Sequence, residues 1–483
     1  MMNKPIFCSL AFGSVSINTK GHYVPCCNNK DFPQRTSPTD VTTIQKLNSA
    51  DLKSLRKVLI SGEWPSVCVN CKKSEDIGVP SMRHIWNKAL TDHSIPMAEE
   101  VKPEDVYSLD LSFGSKCNSK CMTCSPGCSN FWEEEWTHIW KILPDVAREK
   151  YGNPINLTVI DALLLVETYP NVRTISFIGG EPTILDEHFA FLEALVNAGM
   201  SKNIRLSYVT NLTGISEELI SLWETFEHVA CTVSIDGFGP INEYIRYPVK
   251  WSKVEENLRR YLKLTKLKFN VGLSLTMSIF NCLHIDEIIK FWCVLMKECG
   301  VDVHAINVNR AYYPLLANSS ILSKEYKQLS IDKLLVLRDW IEADAIDTRQ
   351  TILQHIDVLL DWIPQERRLQ ITESVRKSVN FLIDCDRFPN RHVNDYVPEL
   401  WDFEILDQHG CEGLKSLRNH ILSGIGTEQN SYLERIDLLI SWLSEDNIHA
   451  ARLRTDARMF IEASDKYRNR HIKDFIPELW AEL

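Results

Sequence analysis

Residues 110–128 read DLSFGSKCNSKCMTCSPGC: a short apolar run that ends at Gly114, then cysteines at 117, 121, 124 and 128. The run has the length and composition of a strand, so Cys117, Cys121 and Cys124 sit on the loop that leaves its C-terminal end. Three thiolates within eight residues suit an iron–sulfur cube, which has four iron corners and leaves one open when only three cysteines bind. A structural zinc site would instead need a fourth ligand and a closed shell, which Cys128 is placed to give. The triplet alone leaves both readings standing.

Outward from this loop the sequence alternates short β-rich runs with helical stretches from residue 105 to about 315. Strands are expected at Tyr107–Ser112, Arg173–Ile178, Ile204–Val209, Val229–Ile235, Asn270–Ser278 and Val303–Val308, with helices between them such as Ser216–Phe226 and Lys253–Leu264. Six βα units predict an α/β fold with an open or partial barrel, whose chemistry would gather at the C-terminal ends of its strands.

Four successive ends carry polar residues. SFIGGEPT places Gly179, Gly180, Glu181 and Pro182 after the second strand. Paired glycines let backbone approach a bound group closely, and Glu181 can accept a hydrogen bond from a cationic amine. YVTNLTG offers Thr210 and Asn211 after the third, and CTVSIDGFG offers Ser234 and Asp236 after the fourth. NEYIRYPVKW follows with Arg246, a partner for a carboxylate. Taken singly these are ordinary turn and cap residues. Four successive strand ends of this kind, with three cysteines after the first, outline a cavity for a zwitterionic, ribose-bearing ligand beside a cluster.

The order C-x3-C-x2-C, then GGEP, then SIDG resembles the radical S-adenosylmethionine superfamily over about residues 105–315. The resemblance implies a partial (β/α)6 TIM-like barrel and a [4Fe–4S] cluster on Cys117, Cys121 and Cys124. Its open iron would bind the amino and carboxylate groups of S-adenosylmethionine. Reductive cleavage would then give a 5′-deoxyadenosyl radical that abstracts a substrate hydrogen. It implies further that Gly179–Pro182 hold the methionine amine, and that Thr210, Asn211, Ser234, Asp236 and Arg246 lie at the cofactor. Ser234 and Arg246 would be the ribose or carboxylate contacts, and the last strand, around Val308, would meet the adenine edge. One departure is Thr123, where the family usually has an aromatic residue. That weakens a contact near the adenine and leaves the thiolate spacing intact.

Ahead of the barrel, CSLAFGSVSINTKGHYVPCC (8–27) and GEWPSVCVNC (62–71) bring Cys8, Cys26, Cys27, Cys68 and Cys71. A hairpin turning at Lys20–Gly21 would draw Cys8 towards the Cys26–Cys27 pair. Cys8, Cys68, Cys71 and one of the pair then make four ligands, which zinc or an iron–sulfur cluster would accept equally. This stretch resembles the twitch module, a shortened SPASM domain, which implies an auxiliary [4Fe–4S] cluster; here it precedes the barrel that it usually follows.

Residues 320–483 read as helical and repeat internally. HIDVLLDWIPQ (355–365) matches RIDLLISWLSE (435–445), and RHVNDYVPELW (391–401) matches RHIKDFIPELW (470–480). Trp362, Trp401, Trp442 and Trp480 are expected as core anchors, and the Arg391–His392 and Arg470–His471 pairs as capping or surface groups. The expected organisation is an N-terminal auxiliary-cluster module at 1–104, the barrel at 105–319 and an all-helical domain at 320–483.

Composition narrows the function. Nine of the fifteen cysteines fall in the first 128 residues of a 483-residue chain, a pattern of metal sites rather than of a small disulfide scaffold. A net charge of −11 disfavours broad binding to nucleic-acid backbone. No apolar run is long enough to span a bilayer, and MMNKPIFCSLAFGSVSI has no convincing cleavage site, so a cytoplasmic protein is expected. The partners expected are S-adenosylmethionine, a reducing donor such as flavodoxin or ferredoxin, and a peptide or small-molecule substrate. The rival readings are a zinc-dependent barrel enzyme and a non-catalytic zinc-binding scaffold built on the helical repeats.

Overall fold

The computed structural model describes residues 4–26, 44–142, 157–264, 269–301, 306–311, 317–343, 349–364 and 446–482, except positions 20, 77, 79 and 469. Its centre is one eight-stranded sheet in the order β2-β1-β3-β4-β5-β6-β7-β8. The strands are β1 (Ser14–Ile17), β2 (Tyr23–Val24), β3 (Ser108–Leu111), β4 (Thr174–Phe177), β5 (Arg205–Thr210), β6 (His228–Ser234), β7 (Phe269–Met277) and β8 (Ile306–Arg310). From β3 to β8 every neighbour is parallel, with helices between successive strands. All six expected barrel strands are present. The described part of the last, Ile306–Arg310, ends slightly later in the chain than the sequence suggests.

Alternation along the strands explains how the sheet is covered. In β6 the residues His228, Ala230, Thr232 and Ser234 are half-buried, while Val229, Cys231 and Val233 are buried. The apolar set faces the helices Asp186–Asn197, Glu217–Trp223 and Trp251–Leu264, whose own buried faces carry Phe191, Trp223 and Tyr261. Phe113, Phe177, Tyr208 and Trp223 follow one another across this interface at centroid distances of 5.0–6.2 Å. The other face is lined by Ser and Thr, a period-two pattern that leaves the inside of the barrel polar.

The N-terminal segment is part of the same sheet. β1 pairs in parallel with β3 through Ser14↔Ser108, Val15↔Leu109 and Ser16↔Asp110. An open barrel leaves an edge of unpaired backbone groups on its first strand, and β1 takes them up. β1 then turns back into β2, with Ile17 opposite Tyr23 and Gly21 at φ +71°, as the hairpin reading expects. Behind this hairpin Arg56 is almost fully buried and donates to the carbonyls of Ala11, Leu47 and Glu99 and to Asn48 Oδ1. Burial without a carboxylate partner pulls its pKa down to about 10.

The described part of the C-terminal region is helical: Lys324–Ala343, Arg349–Trp362, Asp446–Tyr467 and Pro477–Glu482. Glu482 accepts hydrogen bonds from Ser323 N (2.7 Å) and Oγ (3.0 Å), so the last helix caps the start of the first. Trp362 and Trp480 pack partly buried against the core. Trp401, Trp442, the Arg391–His392 pair and most of the proposed repeat lie outside the described residues. His471 does act as a cap, accepting from Lys473 N, whereas the side chain of Arg470 is only 8% exposed rather than at the surface.

Candidate active site

The loop after β3 is stitched to the ends of its neighbours. Gly180 N donates to Gly114 O (3.1 Å) and Glu181 N to Lys116 O (2.9 Å), carrying the end of β4 across the stretch that leads into Cys117. The glycines are needed for this passage. A Cβ on Gly180 would stand 1.9 Å from Lys116 O, and one on Gly179, at φ +113°, would stand 2.3 Å from Ser112 Oγ. Lys120 N and Met122 N donate to Tyr247 O and Ile245 O, both at 2.8 Å, so the segment after the SIDG motif forms the other wall.

Within the loop, Ser119 Oγ lies 3.4 Å from Cys117 Sγ and 3.5 Å from Cys121 Sγ, which puts those two sulfurs on one side. Asn130 Oδ1 accepts from Cys117 N (3.2 Å), Cys124 N turns back to Cys121 O (2.9 Å), and Trp132 Nε1 donates to Cys121 O (3.1 Å). Burial, then the neighbouring Cys121, pushes the Cys117 thiol up to about 11. Cys124 is pushed well above its ordinary value by a hydrogen bond with Cys128 and by burial. Cys128 thus stands beside the triplet.

Arg246 reaches into this loop. Its guanidinium donates to Cys121 Sγ (3.7 Å) and pairs with Asp236 (2.8 Å), while its Nε is buried with no partner. Burial opposes the charge on Arg246, but Asp236 and then Cys121 and Cys124 outweigh it and raise the pKa. Asp236 itself is held by Thr276 N (2.8 Å), and burial moves its carboxyl above the usual range.

Glu181 is fully enclosed. It accepts from Thr183 N (3.2 Å), Thr183 Oγ1 (2.6 Å), Thr210 Oγ1 (2.6 Å) and Asn211 N (2.7 Å). Burial raises its pKa against those hydrogen bonds. Asn211 Nδ2 continues the chain of contacts to Asn118 Oδ1 (2.8 Å), inside the cysteine loop. The structure therefore brings together Gly179, Gly180, Glu181, Thr210 and Asn211, and separately Asp236 and Arg246, each set against the triplet's loop. Pro182 opens the short 3-10 turn Pro182–Ile184, Ser234 ends β6 half-buried, and Val308 lies in β8 at the far edge of the sheet from β2. Asn118, Ser119, Asn130 and Trp132 were not singled out from sequence. Polar loop residues next to cysteines are too common to stand out.

In the N-terminal segment, burial raises the Cys8 thiol, with Cys71 adding to the rise. Cys68 is pushed up to about 12 by burial and then by Cys8 and Cys71, so these three share a neighbourhood. Arg83 braces it, donating to Phe7 O (2.7 Å) and pairing with Glu75 at 2.5 Å. Cys26 is half-buried just beyond β2, and Cys27 lies outside the described residues. Cys8 precedes β1 and the triplet follows β3, so the two cysteine groups flank the parallel pair along the strand direction. The tip of the hairpin touches the triplet's loop through Thr19 Oγ1 to Gly127 O (2.9 Å).

The sequence model described as "Radical SAM superfamily" matches residues 111–290, the span from the end of β3 into the helix before β8. Over that span the barrel is similar to the radical SAM superfamily. Among solved structures, the chain is similar to SuiB of Streptococcus suis bound to S-adenosylmethionine, at 14% identity and TM-score 0.29, over 60% of this chain and 60% of that one. It is similar to anSMEcpe with bound AdoMet at 21% identity and TM-score 0.31, over 49% and 60%. TYW1 with a lysine-pyruvate adduct follows at 17% identity and TM-score 0.27, over 53% and 80%. The match therefore spans about 60% of the length of the first two. No curated protein matches the chain.

The residues present suit an iron–sulfur group. Three thiols share one loop, two of them joined through Ser119, and a guanidinium with an unpartnered Nε stands beside them to offset an anionic cluster. Among the described residues no three or more of His, Cys, Asp and Glu converge tightly enough to hold a single metal ion. A cube offers each thiolate its own iron, so its ligands need not converge on one point. No helix among the described residues is long and apolar enough to cross a membrane.

Proposed function

We propose that the chain is a radical SAM enzyme with two clusters, modifying a peptide or small metabolite. Cys117, Cys121 and Cys124 would hold a [4Fe–4S] cluster with an open iron for S-adenosylmethionine. Cys8, Cys68, Cys71 and Cys26 or Cys27 would hold an auxiliary [4Fe–4S] cluster. When bound, the first cluster supplies the electron that cleaves S-adenosylmethionine to a 5′-deoxyadenosyl radical, which takes a hydrogen atom from the substrate. The observation that carries this reading is the three-thiol loop at the C-terminal end of β3 with Arg246 donating to Cys121.

The chain's own part is positional. Glu181, tied to Thr183, Thr210 and Asn211, fixes the ends of β4 and β5 and so the glycine turn beside the loop. Asp236 holds Arg246 at the loop, and the hydroxyl-lined inner face offers hydrogen bonds to a polar substrate. With its carboxylate already engaged inside the chain, Glu181 would act on the methionine amine through the backbone that it holds. Division into 1–104, 105–319 and 320–483, a cytoplasmic setting and a flavodoxin- or ferredoxin-type donor belong to the same proposal.

Anaerobic reconstitution tests it. Iron and sulfide of about eight each per chain, with 5′-deoxyadenosine formed on reduction, is the expected result. About four irons would remove the auxiliary cluster from the reading, and a properly reduced, loaded protein that forms no 5′-deoxyadenosine would overturn it. A zinc-loaded, colourless protein would favour the hydrolase or scaffold alternatives. Transfer of deuterium from a labelled peptide or metabolite into 5′-deoxyadenosine would identify the substrate class.

A further inference from the structure

Met122 lies between the second and third cysteines, is fully buried, and is gripped by the far end of the chain. Arg468 Nη1 donates to its sulfur at 3.4 Å and Arg470 Nη2 at 3.8 Å, with Ser464 Oγ at 3.9 Å. A thioether is a weak acceptor, so these contacts bring charge to the loop more than they bring strong hydrogen bonds. Arg468 also pairs with the buried Glu135 (3.0 Å), which takes Lys120 at 2.8 Å. Arg470 pairs with Asp465 (3.4 Å). The rings of Trp132, Tyr244 and Tyr247 stack against the two arginines at 4.2–5.2 Å. Trp132 also donates to Cys121 O, so the clamp reaches a cysteine directly.

On the Met122 side of the loop, three cations (Lys120, Arg468 and Arg470) face two carboxylates (Glu135 and Asp465), while on the other wall Arg246 faces Asp236 and the buried Glu181. On the Met122 side one positive charge is left over in a dry environment, where its field is weakly screened. Reduction adds negative charge to a cluster, and its potential depends on nearby charge and on hydrogen bonds near its sulfurs. We infer that Arg468 and Arg470 are positioning residues that fix the cysteine loop from the C-terminal end and make its cluster easier to reduce. This rests on the triplet holding an iron–sulfur cluster.

The test is a redox titration of the reconstituted full-length protein at pH 8, followed through the reduced cluster signal that changes when S-adenosylmethionine is added. Arg470→Gln should lower the midpoint potential of that signal, Arg470→Lys should restore most of it, and Asp465→Asn should raise it. The signal that does not respond to S-adenosylmethionine should stay where it is. A loaded parent whose midpoint is unchanged in both Arg470→Gln and Asp465→Asn overturns the inference, as does an equal shift of both signals. Should Arg470→Gln fail to fold or load, the upward shift in Asp465→Asn decides. A folded parent with no iron on the triplet ends the functional reading itself, a result distinct from an unshifted potential.

Discussion

The two cysteine-bearing regions are held in opposite ways. The Cys117–Cys128 loop is braced from far along the chain: by β4 and β5, by residues 245–247 and by Arg470, 348 positions after Met122. The Cys8–Cys68–Cys71 neighbourhood is braced from close by, mainly by Arg83, Glu75 and Phe7 within the first ninety residues. A loop fixed by several distant elements cannot move unless they do, as the proposed placing of a reactive cofactor would require. A locally braced site asks less of the rest of the fold. It suits a group that carries electrons or steadies structure.

This contrast is sharpest at the thiols. Cys121→Ala should abolish 5′-deoxyadenosine formation and remove about four irons per chain, while Cys68→Ala should remove a similar number and leave S-adenosylmethionine cleavage without substrate measurable. Iron analysis beside a product assay checks both, and loss of cleavage in Cys68→Ala would erase the difference between the regions. Next comes Glu181→Ala, which strands buried donors on Thr183, Thr210 and Asn211 and should cost about 3 kcal/mol in denaturant unfolding. Glu181→Gln, still an acceptor, should lose less.

Asp110 adds a pH axis. It sits on β3, accepts from Ser16 Oγ (2.9 Å), keeps Oδ1 unpartnered, and is raised by burial from 3.8 to about 7. A carboxyl whose folded pKa is raised binds more protons folded than unfolded, so its contribution to stability falls as pH rises from about 4 to about 7. Asp110→Asn should flatten that decline and gain about 1–3 kcal/mol at pH 8, read from unfolding curves at several pH values. An unchanged slope would place its pKa near the ordinary value. The smallest effect belongs to the locally braced side. Arg83→Ala should cost about 1–2 kcal/mol in unfolding, since the half-buried pair with Glu75, one bond to Phe7 O and the contact over the Trp64 ring are lost.

Much of the barrel was legible from sequence because half-buried strands alternate and their ends collect turn residues. The hairpin of β1 and β2 was legible too, from its polar turn between apolar runs. The parallel pairing of β1 with β3 was not, because register between strands ninety residues apart leaves no local mark. Glu181 read as a ligand group since its spacing suits one, yet four donors from the chain itself occupy its carboxylate. Arg470 read as a cap or surface group because a charged residue after a helix usually is one. Only the fold reveals the tyrosine rings and the sulfur around it.

The grip of Arg468 and Arg470 on Met122 also sets an order of events during synthesis. The cysteine loop is made long before these supports, which lie 346 and 348 positions after Met122. Contacts this distant close late, because the whole intervening chain must be in place first. A nascent chain would therefore leave the triplet's loop without these supports until Arg468 and Arg470 have been made. That interval is when the proposed cluster would be loaded most easily.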